Sequence, residues 1–573
     1  MMLTRYPYFP TLLLLFFSLS APITAQTLLR NIGQDSLLGT TELGSSSPIE
    51  FTRLNDTEFV FQGFVSGFEL GNLHVSDGTE AGTNKVGTVT AQGQMIHFQG
   101  RVYFAGTDFA GGQATIGLWV TDGTAEGTEL VFASEAGSAT FPLDPKDFFV
   151  LDTLLLFSGL TITHGTELWR TDGTAAGTRL IADVNPDGDG YAGGEPTVVD
   201  SILYFAGYTP DAGVEPWRTD GTPEGTWMIA DMNPGPQNSG AAFFTASGGF
   251  IYFSALAPGS GREVRRMRPE RGSAIELIGE GGGSTDSSDP RYFVDADGTL
   301  FYVAQTEGAD GLELMRYNHV GEPEVMGPTD IFPQILKPFG NGRIVFKARN
   351  ANGTELWISD GTSGGTHPIT DLYAGPNDGV FPNVSAESFH VYQDSLVYYA
   401  GADGTAADGE FVYELFVTDG TEAGTVLVSD QVPGTEGSNP GNFFTFRERV
   451  YFAATDPLVG REPFYLGPGE PPVSIFRPVV SSLRLQARVF PNPIRAGAAF
   501  RLEMELDTPL KLTAGLYDLR GVLVRDLPLP SGQLQVGNHS MPWQLPADIS
   551  SGIYFIRLIS EGKVASLRVV VAE

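Results

Sequence analysis

Short apolar strings alternate with turn-forming segments along most of the chain. In one typical stretch the apolar strings lie at 148–151, 154–158, 167–171 and 179–183, and residues rich in Gly, Asp and Thr separate them. Apolar runs of four to eight residues bounded by such turn signals are typical of buried β-strands. The pattern predicts an all-β chain of consecutive antiparallel strands.

The strands are organised in an internal repeat. The octapeptide Ser-Asp-Gly-Thr-Glu-Ala-Gly-Thr at 76–83 recurs with small changes at 121–128, 171–178, 219–226, 359–366 and 418–425, and decayed copies lie at 261–265, 311–315 and 460–464. Nine units at a period of roughly 48 residues fall in the range of propeller blades. Each unit is predicted to hold four strands, and the octapeptide joins the third to the fourth, with Gly supplying the positive φ angles of a tight turn.

A four-stranded unit has two open edges, so the units must stack or close into a ring. The ninth unit has candidate strands at 443–446, 450–453 and 462–465 but no fourth, whereas residues 28–32 resemble fourth strands such as 179–183. We therefore predict a β-propeller over residues 26–467, with eight to nine four-stranded blades closed by an N-terminal strand. Eight is kept open because nine exceeds the usual number, and one decayed unit could be an insertion.

The two ends of the chain differ from the repeats. Arg5, an apolar run at 12–19 and small residues ending at Ala25 predict a signal peptide over residues 1–25. No other stretch approaches the length of a membrane span, so we expect no transmembrane segment after signal removal. A Pro-rich linker is predicted at 468–486, and alternating strands broken by turns predict a small C-terminal β-sandwich at 487–573.

Both the tail and the repeats resemble known families. The tail carries Val-Phe-Pro-Asn-Pro at 489–493, Leu-Tyr-Asp-Leu-Arg-Gly-Val at 516–522, Ser-Gly-Ile-Tyr-Phe-Ile-Arg-Leu at 551–558 and a last strand at 567–571. It resembles the type A C-terminal sorting domain of the type IX secretion system. The repeats, fullest at 167–178 and 355–366, resemble those of bacterial surface and secreted proteins with Glu-Leu-Trp-x-Thr-Asp-Gly-Thr-x-x-Gly-Thr motifs.

These resemblances imply a route and a location. The partner that they imply is the type IX secretion machinery, and the location is secreted or on the outer-membrane surface of a Gram-negative bacterium. They carry no shared activity.

Composition excludes several classes of function. The formal net charge of -34 makes nucleic acid a poor partner, because its own charge would be repelled. The absence of Cys excludes disulfides, thiolate metal sites and thiol nucleophiles.

Three side-chain types recur at fixed positions in the repeat, and we predict structural roles for them. The bulky Trp should pack between neighbouring blades rather than stack on sugars. The Glu two residues earlier should hydrogen-bond a turn, because a ring of identical acids lacks the asymmetry that catalysis needs. The turn Asp, for example Asp172, should accept from the N–H two residues on. The Trp lie at 119, 169, 217 and 357, and the Glu at 167, 215, 263, 313, 355, 414 and 462.

One segment suggests a cofactor. Asp183, Asn185, Asp187 and Asp189 place oxygen ligands at every second residue, as calcium loops do. The twelfth position is Gly rather than Glu, and residues 231–234 repeat the first half of the segment. Calcium is thus the one cofactor that we predict. The alternative is that the same residues have only a structural role in the blade.

No catalytic residue can be named, because nucleophile elbows, phosphate loops and His-Glu-x-x-His motifs are absent from the sequence.

The connections from strand two to three and from blade to blade vary in sequence, and they should emerge on one face of the ring, where binding sites usually lie. Two hypotheses follow: a secreted or cell-surface binding or adhesion propeller for an unknown extracellular glycan or protein, or a secreted propeller enzyme acting on glycans as a hydrolase or lyase.

Overall fold

The structure is a computed structural model in which strands and turns, and no helix, make up the described residues. It describes residues 26–32, 45–64, 71–109, 114–133, 143–279, 287–309, 311–329, 331–372, 376–380, 388–405, 411–429, 437–456, 459–466, 486–490, 494–495, 497–506, 509, 511–517, 523–529, 534–545, 549, 552–560 and 563–572. The predicted signal peptide and nearly all of the predicted linker lie outside these ranges. Within them, no helix is long and apolar enough to cross a membrane.

The predicted propeller region contains short strands with apolar sequences. They are β1 (Thr27–Leu28), β2 (Ile49–Arg53), β3 (Phe59–Gly63), β4 (Gly71–Ser76), β5 (Asn84–Phe98), β6 (Arg101–Asp108), β7 (Thr115–Thr121), β8 (Glu129–Phe132), β9 (Asp144–Leu151), β10 (Leu154–Thr161), β11 (Gly165–Thr171), β12 (Arg179–Leu180), β13 (Tyr191–Val199), β14 (Ile202–Thr209), β15 (Gly213–Thr219), β16 (Trp227–Met228), β17 (Ala242–Ser247), β18 (Phe250–Ala257), β19 (Gly261–Met267), β20 (Glu276–Ile278), β21 (Arg291–Ala296), β22 (Thr299–Ala304), β23 (Glu313–Tyr317), β24 (Glu324–Val325), β25 (Phe332–Pro338), β26 (Ile344–Asn350), β27 (Gly353–Ser359), β28 (His367–Pro368), β29 (Phe389–Tyr392), β30 (Leu396–Thr405), β31 (Phe411–Thr418), β32 (Val426–Ser429), β33 (Gly441–Phe446), β34 (Arg449–Asp456) and β35 (Gly460–Tyr465).

These strands pair into antiparallel four-stranded units in the order first, second, third, fourth. Blades one and two share β5, whose first half pairs with β4 and whose second half pairs with β6. Blades three to eight are β9–β12, β13–β16, β17–β20, β21–β24, β25–β28 and β29–β32, and blade nine is β33–β35 with β1. The prediction of an all-β chain in four-stranded units is confirmed, and the arrangement is consistent with a β-propeller.

The N-terminal segment supplies the fourth strand of blade nine. Thr27 and Leu28 of β1 pair with Tyr465 and Phe464 of β35. The Leu29 N–H then donates to the Pro463 carbonyl at 2.8 Å. First strands of adjacent blades lie in contact from blade one to blade seven and again between blades eight and nine, and β33 of blade nine contacts β2 of blade one.

The recurrent Trp side chains pack between blades, as predicted. Trp169 of blade three is fully buried in one apolar cluster with Phe98 and Leu118 of blade two. A Cβ at Gly159, on the neighbouring strand, would lie 2.8 Å from Trp169 Cδ1, so the ring fills the space that a side chain there would need. Trp119, Trp217 and Trp357 similarly join apolar clusters that span two blades.

The octapeptide folds as a hydrogen-bonded turn between strands three and four. Asp360 Oδ1 accepts from the Thr362 N–H at 2.9 Å and from its hydroxyl at 2.7 Å, and Thr362 Oγ1 accepts from the Gly365 N–H at 2.9 Å. These bonds from Thr362 hold the pKa of Asp360 below its usual range. Asp77, Asp122, Asp172, Asp220 and Asp419 accept the same pair of bonds. The predicted role of the turn Asp is confirmed.

The C-terminal region forms two sheets around one apolar core. Its strands are β36 (Gln486–Phe490), β37 (Ile494–Arg495), β38 (Ala499–Leu506), β39 (Thr513–Tyr517), β40 (Leu523–Leu527), β41 (Gly537–Gln544), β42 (Gly552–Ser560) and β43 (Lys563–Ala572). One sheet has the order β36-β38-β41 and the other β37-β43-β42-β39-β40. Leu502 and Met541 of the first sheet share a buried cluster with Ile556 and Val569 of the second.

Two adjacent glycines of one turn give a matched test of its packing. A Cβ at Gly365 would lie 2.0 Å from Asp360 Oδ1, whereas a Cβ at Gly364 would meet nothing within 4 Å. We expect Gly365→Ala to lower the free energy of unfolding by about 1–3 kcal/mol, because the Asp must leave its hydrogen bonds. Gly364→Ala should change it by less than about 1 kcal/mol. Chemical denaturation of both variants measures the difference, and equal effects would contradict the described turn.

Candidate binding site at the channel mouth

A buried carboxylate at the start of the third strand holds the chain as it passes to the next blade. In blade four, Glu215 is fully buried, and it accepts from the Met232 N–H at 2.8 Å and from the Ser239 N–H at 2.9 Å. Met232 and Ser239 lie at the two ends of the connection to blade five. Glu167, Glu263, Glu355, Glu414 and Glu462 accept backbone N–H groups of the corresponding connections. Thr306 donates its hydroxyl to Glu313.

The predicted structural role of these glutamates is therefore confirmed. Each is 0–2 % exposed, so none is open to a substrate. Burial raises the pKa of Glu167 to about 7 and that of Glu355 to about 8, since removal from water penalises the charged form.

The first strand of eight blades carries a bulge with one residue at positive φ. The pairing register shifts at each of these points, as in β17, where it shifts between Ala242 and Thr245. The residues are Glu50, Gly93, Asp147, Glu195, Phe243, Tyr292, Ile335 and Asn442, with φ between 47° and 61°. Bulges with non-Gly residues in this region are frequent next to functional sites. These bulges could not be predicted from residue type, because seven of the eight residues are not Gly.

The bulge residues divide the inner strands into two sectors. Blades one, three and four present Glu50, Asp147 and Glu195, whereas blades five, six and seven present Phe243, Tyr292 and Ile335 at the same point of the first strand. The bulge residues are therefore acidic in blades one, three and four and apolar or aromatic in blades five to seven, where Phe243 and Tyr292 are half-buried and Ile335 is buried.

A cavity of about 390 Å³ lies in the apolar sector, between blades five and six. Its lining comprises Gly240, Phe243, Ser254, Arg262, Asp289, Pro290, Arg291 and Tyr292. Gly240 and Asp289 belong to blade-to-blade connections, and Arg262 follows the connection from strand two to strand three. The cavity therefore opens on the variable face at which sequence reasoning placed the site. The eight residues themselves were not predicted, because they come from two decayed repeats about fifty residues apart.

Three of the four predicted calcium ligands take part in protein contacts. Asp183 Oδ2 lies 2.9 Å from His164 Nδ1, and Asp189 Oδ1 accepts from the Thr166 N–H at 2.7 Å. Asn185 Nδ2 donates to the Asp189 carbonyl at 2.9 Å, while Asp187 is exposed.

Blade four repeats two of these contacts without the acids. There Asn238 Oδ1 accepts from the Val214 N–H at 2.9 Å, and Asn233 Nδ2 donates to the Asn238 carbonyl at 3.2 Å. Asn185 and Asp189 thus occupy positions that also have structural roles in a blade without the acidic pattern.

The described residues contain no group of three or more His, Asp or Glu side chains arranged to hold a metal ion. One observation still fits a cation in the 183–190 loop: Asn185 Oδ1 is buried without a hydrogen-bond partner among the described residues. Calcium binding by Asp183, Asn185, Asp187 and Asp189 stays a prediction.

The fold and cavity together define a class of protein, a repetitive all-β chain consistent with a β-propeller and carrying a cavity at the inner ends of its blades. No protein-family model matches the chain, and no curated protein matches it. Solved structures that align with it include a puromycin hydrolase, at 15 % identity over 66 % of this chain and 61 % of that one, with a TM-score of 0.33.

Two further alignments are of the same kind. One is with a structure from a study of two prolyl endopeptidases, at 12 % identity over 82 % of this chain and 55 % of that one, with a TM-score of 0.36. The other is with oligopeptidase B from Leishmania major, at 12 % identity over 76 % and 54 %, with a TM-score of 0.36. This chain spans less than two thirds of each of these proteins. TM-scores this low support no inference about activity, and the fold assignment rests on the strand pairing described above.

Calcium binding can be tested by melting. If the loop binds calcium as extracellular modules do, about 1 mM calcium should raise the melting temperature above its value in chelator. Asp187→Asn should remove the increase, because Asp187 is the acid without a counterpart in blade four. Identical melting curves of the unmodified protein in calcium and in chelator would contradict calcium binding by this loop.

The raised pKa values predict how stability depends on pH. Because folding raises the pKa of Glu355 from near 4.5 to about 8, the folded state holds a proton that the unfolded state has released between these values. This group's contribution to stability is therefore lost as pH rises from about 5 to about 8. We expect the melting temperature of Glu355→Gln to rise relative to the unmodified protein over that range.

The exposed Glu422→Gln is the matched control for the loss of one carboxylate. A pH-independent difference for Glu355→Gln would contradict the raised pKa.

Proposed function

We propose that this protein is a secreted or cell-surface binding propeller, exported by the type IX secretion machinery, that recognises an extracellular glycan or protein at the cavity between blades five and six. The observation that carries the proposal is the composition of the cavity lining, which combines two aromatic rings and two arginines with one carboxylate. Hydrolysis of a glycosidic bond ordinarily uses two carboxylates. The cavity is therefore suited to binding rather than to acid–base catalysis.

The binding surface requires a rigid frame, and we propose a ring of nine blades closed by the N-terminal segment. Support comes from Glu462 of blade nine, whose carboxylate accepts from the Ile32 N–H at 3.0 Å and the Ser46 N–H at 3.2 Å. Met232 and Ser239 fill the same positions on Glu215 in blade four. The N-terminal segment thus makes the contacts that a blade-to-blade connection makes elsewhere.

We further propose that residues 487–573 form a β-sandwich that acts as the sorting domain. The two C-terminal sheets share one apolar core, as the halves of a sandwich do. Four ordered sequence motifs in this region resemble the type A sorting domain and support the assignment of the export route.

A glycan-degrading enzyme is the alternative, and the acidic sector favours it. Asp147 and Glu195 stand at the bulges of adjacent blades. Desolvation raises the pKa of Glu195, as a general acid would need. An active site in this sector would act on a chain lying across the mouth.

One experiment separates the two functions. The purified chain from residue 26 to 573 is applied to an array of glycans and matrix proteins, and reducing-end release is measured on the same polysaccharides. We expect retention of at least one ligand with no release of product. Product release that disappears in Glu195→Gln, with an unchanged melting temperature, would establish the enzyme and overturn the binding proposal. Neither retention nor release would overturn both.

A further inference from the structure

We propose that the cavity between blades five and six recognises a carboxylated sugar residue of an acidic polysaccharide. This inference rests on the proposed binding function and names its ligand class. Three features of the lining carry it: a pair of aromatic rings, a guanidinium group without a carboxylate partner, and a buried hydroxyl without a hydrogen-bond partner.

The aromatic rings belong to Phe243 and Tyr292. Their centroids lie 6.0 Å apart with planes inclined at 60°, and both side chains are half-buried. Both residues sit at bulges with φ of 58° and 54°, a conformation that bulky side chains rarely adopt. The bulges place two aromatic surfaces at the inner end of the cavity, where the C–H face of a sugar ring can pack.

The two arginines of the lining have different surroundings. Arg262 donates to the Gly240 and Ser239 carbonyls at 2.6 and 2.9 Å, and its Nε lies 3.8 Å from Asp289. Arg291 donates from Nε to the Asp289 backbone carbonyl at 3.3 Å, and it forms no ion pair with a described carboxylate; the Asp289 carboxylate faces Arg262. Its terminal N–H groups are the cavity's donors for an anion, because a guanidinium matches a carboxylate bidentately.

The cavity lining is positively charged, whereas the chain as a whole is strongly negative. The formal net charge is -34, yet the lining holds two guanidinium groups and one carboxylate. The Glu195 carboxylate of blade four lies beside the cavity, because it accepts a hydrogen bond from the backbone of Phe243. The anionic group of a ligand should therefore lie at Arg291, in blade six.

Ser254 supplies a polar contact inside the cavity. It lines the cavity and is fully buried, and its hydroxyl has no hydrogen-bond partner among the described residues. A ligand hydroxyl that reached it would supply the missing hydrogen bond. Aromatic surface, a guanidinium and a hydroxyl together match a sugar ring that carries a carboxylate.

Both blades that line the cavity depart from the repeat. The position of Arg262 is Thr166, Val214 and Thr354 in blades three, four and seven, while blade nine has Arg461 there. Blades five, six and nine lack the octapeptide turn. The combination of Arg262 with Arg291 and two aromatic rings comes from blades five and six.

Calorimetry with defined oligosaccharides tests the inference on the purified chain from residue 26 to 573. The probe is an oligomer of galacturonic acid, and a galactose oligomer of the same length is the neutral comparison. We expect the uronate to bind and the neutral oligomer to bind at least about tenfold more weakly, with uronate affinity falling as salt rises.

Substitutions then locate the site. Arg291→Gln should weaken uronate binding at least about tenfold, Arg291→Lys should weaken it less, and Tyr292→Gly, which tolerates the positive φ, should also weaken it. The control is Arg53→Gln, whose side chain is 61 % exposed at the far end of a first strand, and it should leave the affinity unchanged.

Several outcomes would overturn the inference. These are equal binding of the neutral oligomer, binding of a sulfated oligomer without binding of the uronate, or unchanged affinity in Arg291→Gln and Arg291→Lys when melting temperatures show both to be folded. Each of these results would leave the binding function in place if another glycan or a matrix protein on the array is retained. If the array of glycans and matrix proteins gives no ligand at all, the proposed function itself is overturned.

Discussion

The frame of this protein depends on a buried carboxylate with which six of the nine blades hold the chain that leaves them or, in blade nine, the N-terminal segment. A charge taken out of water is costly unless hydrogen bonds replace its hydration. In blade four the replacement comes from two backbone N–H groups, those of Met232 and Ser239, which frame the connection to blade five. Because these donors belong to the connection, satisfying the carboxylate also fixes where the next blade starts. The same bond therefore stabilises one blade and positions another.

The same constraint acts between the N-terminal segment and the last repeat. Glu462 is as deeply buried as the other glutamates, and the described residues show no further blade after it. Its donors come from Ile32 and Ser46, more than four hundred residues away along the chain. Without those donors the carboxylate of blade nine would lose these hydrogen bonds. Contact of the N-terminal segment with blade nine thus helps to satisfy this carboxylate.

Features that repeat along the chain could be predicted from the sequence, because a fixed residue type at a fixed position has one local role. The turn aspartates, the interblade Trp and the buried Glu all follow this rule. The bulges at Phe243 and Tyr292 could not be predicted, since neither residue type favours positive φ and only the packing of adjacent first strands imposes it. The cavity was missed because its residues come from two blades that have lost the pattern.

The acidic loop at 183–190 illustrates the opposite difficulty. Its alternating oxygens match a calcium loop, yet Asn185 and Asp189 make contacts that Asn233 and Asn238 repeat in a blade without the acids. A motif that overlaps the repeat can therefore have a structural origin. Residues 231–234 already show this overlap in the sequence, because they repeat the first half of the loop.

Native-state hydrogen exchange on the chain from residue 26 tests closure of the ring most directly. If the N-terminal segment completes blade nine, the amides of Leu29, Ile32 and Ser46 should be protected to the same degree as those of Ile229, Met232 and Ser239. These amides make equivalent hydrogen bonds in blades nine and four. Exchange of the first three at the rate of an unfolded peptide, while the second three stay protected, would contradict a ring closed by the N-terminal strand.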